Sequence, residues 1–247
     1  MRNLLRGATI FALLLASARA RAAQGAMPPS GTPQGTAAIA AKVGFMEVAG
    51  IKLGMPVKDA VKELKNMIGP PEILTTAIVP PFTAPDDAPK GNEQITASAK
   101  DGKGDSETIE LLSTLSPNAE LVRSIKQKLD FSNGSGPNFD SVLADLRKKY
   151  GPESLVMAQA STTEINTLLL RWYFDPDGHS LQGSAAQKEW SCTERGDNGG
   201  PACSTLTVLE ILIQADGIKQ VYALTEQAQS YPLDRSAEDA TQAAASK

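Results

Sequence analysis

Val57-Lys58-Asp59-Ala60-Val61-Lys62-Glu63-Leu64-Lys65-Asn66-Met67-Ile68-Gly69-Pro70 is followed, 82 positions later, by Phe139-Asp140-Ser141-Val142-Leu143-Ala144-Asp145-Leu146-Arg147-Lys148-Lys149-Tyr150-Gly151-Pro152. The two stretches align without a gap. In each, apolar residues fall at i, i+3, i+4, i+7 and i+11: Val57, Ala60, Val61, Leu64 and Ile68, then Phe139, Val142, Leu143, Leu146 and Tyr150. That spacing gathers them into one stripe of a 3.6-residue helix. Both stretches stop at Gly followed by Pro, where glycine can take a left-handed cap and proline cannot continue the helix. Asn138 stands at the N-cap of the second helix, and Arg147, Lys148 and Lys149 complement the dipole at its end.

After each helix the period changes to two. Segments 73–79, 107–115 and 120–131 follow the first helix; 154–157, 163–174, 204–214 and 218–226 follow the second. Leu168, Leu170, Trp172 and Phe174 alternate with Leu169, Arg171 and Tyr173, the pattern of a strand with one face inward. Asp216-Gly217 is a hairpin signal, and 101–105 and 133–136 are rich in turn residues. A lone helix and a half-buried sheet must cover each other. The expected fold is therefore α+β: two tandem repeats, at 43–131 and 132–230, each a helix packed on an antiparallel sheet.

Outward from this centre, the ends carry different information. Arg2 and Arg6 precede the apolar run 7–15, and Ala18-Arg19-Ala20 and Ala20-Arg21-Ala22 offer A-x-A cleavage sites. A membrane span needs roughly 20 apolar residues, so this run reads as a signal peptide over 1–22. The expected location is the periplasm or the extracellular space. Residues 23–42, with little apolar bulk, read as a flexible leader, and 231–247 as a loose tail.

The chain carries 24 basic and 28 acidic residues, and four of its arginines lie in 1–22. Once that segment is removed the mature protein is more acidic still, which speaks against nucleic acid and anionic lipid as partners. The two cysteines, Cys192 and Cys203, suit an oxidising compartment and are expected to form a disulfide worth roughly 3 kcal/mol.

The sequence is poor in catalytic sets. His179, the one histidine, sits in Asp175-Pro176-Asp177-Gly178-His179-Ser180, which reads as a turn. As a calcium loop the segment lacks the closing Glu at position twelve, which is Ala186. No G-x-S-x-G, S-x-x-K or phosphate-binding loop is present. A pair of carboxylates in glycosidase geometry stays open on sequence grounds. Neither a metal nor a cofactor is expected.

Gly50-Ile51-Lys52-Leu53-Gly54-Met55, then an apolar helix ending at Gly69-Pro70, resembles the I-x-x-G-M … L-G-x-P pattern of SmpA/OmlA-type outer-membrane assembly proteins. The tandem helix-plus-sheet layout over about 45–230 resembles the beta-lactamase inhibitor protein fold. The resemblance implies an assembly factor or an inhibitor of another exported protein. This chain has no cysteine near the cleavage site to carry a lipid anchor, and one cysteine pair where the inhibitor has one per repeat.

The expectation is thus a non-catalytic protein-interaction module, with a small-ligand-binding module and a hydrolase with an atypical site as alternatives. Arg171 and Tyr173, sharing one strand face, and Trp190, beside Cys192, are the candidate binding residues. Trp172, on the other strand face, is expected in the core.

Overall fold

The computed structural model describes residues 34–68, 72–78, 92–114, 120–132, 134–160, 165–187, 206–216 and 220–245. Helix α1 (Gln34–Val43) leads into a small hairpin of β1 (Glu47–Val48) and β2 (Ile51–Lys52), then helix α2 (Val57–Ile68). Strands β3 (Glu72–Ile78), β4 (Asn92–Lys100), β5 (Ser106–Ser113) and β6 (Val122–Asp130) come next. Helix α3 (Phe139–Tyr150) precedes β7 (Leu155–Ala160), β8 (Ile165–Phe174), β9 (Thr207–Asp216) and β10 (Gln220–Ser230), and helix α4 (Tyr231–Ala245) ends the fold.

The long strands make one antiparallel sheet of eight, ordered β3-β4-β5-β6-β10-β9-β8-β7. Each of α2 and α3 is thus followed by a four-stranded meander, and the two meanders meet through their last strands. Across that joint Leu129 faces Leu224, Gln127 faces Glu226 and Ile125 faces Ala228. The molecule is an α+β protein built on a single continuous sheet, not on a separate sheet for each helix.

Register decides which side is core. Ala97, Ile109, Gln127, Glu226, Ile211 and Leu170 lie in one cross-strand row. The apolar members of that row belong to the same buried cluster as Ala60 and Leu64 of α2 and Val142 and Leu146 of α3. Both helices therefore cover the same side of the sheet, and their buried residues fall on the apolar stripes of the two aligned stretches. The Asn138 side chain accepts from the backbone N–H groups of Asp140 and Ser141, at 3.0 and 3.2 Å. At the other end of α3, Gly151 has φ 78° and donates its N–H to the carbonyl of Arg147 at 2.9 Å.

Three readings are corrected. The leader, 23–42, contains most of α1, and the tail, 231–247, contains α4. These helices pack on each other, with Thr36 Oγ1 2.7 Å from Ser236 Oγ, and they bury Ala40, Val43, Leu233 and Ala237. Alanine is the strongest helix former, so a low apolar bulk does not prevent ordered helices that pack on small side chains. The third correction is β4, a strand missed because its large apolar content is slight: Ile95 and Ala97 are buried, among polar neighbours. Among the described residues no helix is long and apolar enough to cross a membrane.

Candidate functional site

The side of the sheet away from α2 and α3 carries the other half of each strand's residues. One row runs Thr96, Glu110, Lys126, Gln227, Glu210 and Arg171 across β4, β5, β6, β10, β9 and β8. The next runs Ser98, Thr108, Lys128, Thr225, Leu212, Leu169 and Met157. Lys126 and Lys128 are exposed, and most of the rest are half-exposed. An antiparallel sheet often leaves one side to solvent in this way. Here the first row is charged from β5 across to β8, and the second is apolar from β9 to β7.

Neighbouring side chains fix one another across the strands and along β6. Gln94 Nε2 donates to Glu110 Oε1 at 2.5 Å, and Lys128 Nζ lies 2.9 Å from Asp130 Oδ1. Arg171 Nε donates to Glu210 Oε2 at 2.6 Å. Strands about 4.8 Å apart make an eight-stranded face roughly 34 Å wide. Some 20 Å of strand over that width is about 700 Å², near the ~800 Å² that each partner gives to a standard protein interface.

Of the residues singled out from sequence, Arg171 lies on this side, half-buried and ion-paired to Glu210. Tyr173 points the same way but is 0% exposed, so it is no surface anchor. The chain after β8 folds back over it: Leu181 donates its N–H to the carbonyl of Tyr173 at 2.7 Å, and Ala186, Leu206 and Val208 close a second small core around the ring. Trp190, Cys192 and Cys203 lie outside the described residues. Trp172 is in the main core, its Nε1 donating to the Gly151 carbonyl at 3.1 Å.

His179 belongs to a tight turn. Asp175 Oδ1 accepts from the N–H groups of Asp177 and His179, both at 2.9 Å, while its Oδ2 is 3.3 Å from His179 Nδ1. The imidazole is 79% exposed. Burial acts to raise the Asp175 carboxyl, but these hydrogen bonds and the nearby imidazole outweigh it and hold the group below its ordinary range.

A second polar feature lies on the helix side, at the joint between the meanders. Glu226 is 1% exposed and accepts a hydrogen bond from the Tyr150 hydroxyl through Oε1, with Lys149 Nζ 3.7 Å from the same oxygen. Among the described residues its Oε2 has no hydrogen-bond partner. Beside it, Gln127 Nε2 donates to Glu107 Oε1 at 2.7 Å, and burial raises the Glu107 carboxyl. Burial, then the charge and hydrogen bond of Glu226, push the Tyr150 hydroxyl well above its usual range. The cluster ties α3 to the centre of the sheet.

Sequence reasoning missed Lys126, Gln227, Glu210 and Leu212 as neighbours of Arg171. Their alternation is readable strand by strand, but the β6–β10 register that assembles them is not. Comparison with protein-family models, with curated proteins and with solved structures gave no match.

Proposed function

We propose that this chain is an exported, non-catalytic protein-interaction module of the cell envelope or extracellular space, acting as an assembly factor or in the manner of an inhibitor. The observation that carries the reading is the solvent-facing side of the sheet, where Glu110, Lys126, Glu210 and Arg171 stand in one row beside Leu212 and Leu169. Such a face offers what an interface needs: an apolar strip that gains from leaving water, and charges of both signs that set orientation and reject wrong partners. The partner is another exported or envelope protein with a mixed-charge docking surface.

The test is affinity capture from envelope extract of the native host, with wild type beside Lys126→Glu, Leu212→Lys and a control, Lys58→Glu on α2. One stoichiometric protein held by wild type and the control, and lost from both face variants, is the expected result. Equal retention by all four proteins, or nothing retained by any, would overturn the reading. Fractionation of the expressing cell tests export separately, through removal of residues 1–22.

A further inference from the structure

We propose that β7 is a self-association edge, through which two copies of this chain pair antiparallel and extend the sheet across a two-fold axis. β7 ends the sheet, and among the described residues no strand lies along the backbone donors and acceptors of its outer side. Natural edge strands are usually blunted by charge or proline, because such a row of donors and acceptors is a template for another chain. Leu155-Val156-Met157-Ala158-Gln159-Ala160 contains neither. The opposite edge differs: β3 opens on Glu72 and is bracketed in sequence by Pro70-Pro71 and Pro80-Pro81.

The side chains agree with the backbone. Val156 is 49% exposed and Met157 37%, two of the three exposed large hydrophobic residues among those described. They point to opposite sides of the sheet, Val156 paired with Leu170 on the helix side and Met157 with Leu169 on the other. A strand laid alongside would cover both at once, as no occupant of a single face could.

A second copy fits this edge in charge. Because β7 is uncharged along its whole length, every register of a two-fold pair sets only neutral side chains opposite one another. It also fits in extent. The internal joint of β6 with β10 is an antiparallel ladder of seven residue pairs, and β7 offers six residues. Unlike that joint, a β7 pair has no helix-side core beneath it. The contact therefore falls short of the ~800 Å² per partner of a stable complex, and the dimer is a weak, reversible one.

Sedimentation velocity of the protein as its expressing cell leaves it, from micromolar to near-millimolar concentration, reads the equilibrium. The expected result is a monomer that shifts towards dimer with concentration. Val156→Lys with Met157→Lys should weaken the association at least tenfold, and Lys58→Glu should not change it. Amide hydrogen exchange on the wild type gives a readout independent of any variant's folding: protection at 155–160 should rise with concentration. A monomer throughout, exchange at 155–160 that ignores concentration, or a dimer indifferent to the two lysines would each overturn the proposal.

Discussion

Arg171 and Tyr173 stand two residues apart on one strand face, yet they answer to different physics. Arg171 sits in a half-buried ion pair at the rim of the solvent-facing side, and such pairs contribute little to stability. Tyr173 fills a closed core, where removal of a large ring typically costs about 3–5 kcal/mol. Urea denaturation should therefore show Tyr173→Ala losing several kcal/mol, and Arg171→Ala about 1 kcal/mol or less. The buried cluster at the β6–β10 joint makes a sharper case. In Tyr150→Phe the carboxylate of Glu226 loses its hydrogen-bond donor while remaining buried, and a buried acceptor left unpaired costs about 1–3 kcal/mol. The expected outcome is a lower denaturation midpoint with an unchanged slope.

Among the elements, α2, α3 and most strands were legible because an amphipathic stripe or a strict alternation is a local signal. The outer helices and β4 were not. α1 is Gln-Gly-Thr-Ala-Ala-Ile-Ala-Ala-Lys-Val, and its small side chains find cover only in the tertiary fold, against α4 some two hundred positions away and against the main core. The same helix explains a glycine that the sequence offers without a reason. Gly54 has φ 76°, and a Cβ there would lie 2.6 Å from the carbonyl oxygen of Ala40 on α1. Gly54→Ala should strain the turn into α2 and displace α1, lowering the thermal midpoint and raising proteolytic cleavage within 34–43. α4 is fastened by Asp234, which receives Arg123 Nη1 at 2.6 Å and Gln229 Nε2 at 3.3 Å. The candidate site was legible only as single residues: Arg171 was visible, its neighbours across the joint were not, and the burial of Tyr173 depends on a fold-back that strand periodicity does not encode.

At the scale of the whole molecule, five carboxylates, Glu107, Asp234, Glu153, Asp105 and Asp175, divide into two groups with opposite pH behaviour. Burial raises Glu107 and Asp234 above ordinary values near 4.5 and 3.8, in Asp234 against the opposing pull of Arg123. A raised folded-state pKa means that the native protein binds the proton more tightly, so these two add stability as pH falls from neutrality towards those values. Glu153 is lowered, first by its hydrogen bond from Arg147. In Asp105 burial acts to raise the group, but hydrogen bonds from Ser132 and Ser135 prevail and leave it lowered. With Asp175, these groups contribute stability that is present above their unfolded values and lost as pH falls through their folded ones. Urea midpoints should hold or rise from neutral pH to about 4.5 and then fall. Asp234→Asn, which cannot titrate, should flatten the rise and leave the acid limb in place.

The joint through the last strand of each meander also sets an order of events. Within a meander each strand pairs with its neighbour in sequence, but residues paired between β6 and β10 lie roughly a hundred positions apart, the kind of long loop that is slow to close. The chain is made from its N-terminus, so β6 is finished long before its partner exists. Until β10 arrives, that strand is an edge whose outer backbone groups await their partner, the kind of template that invites wrong pairing.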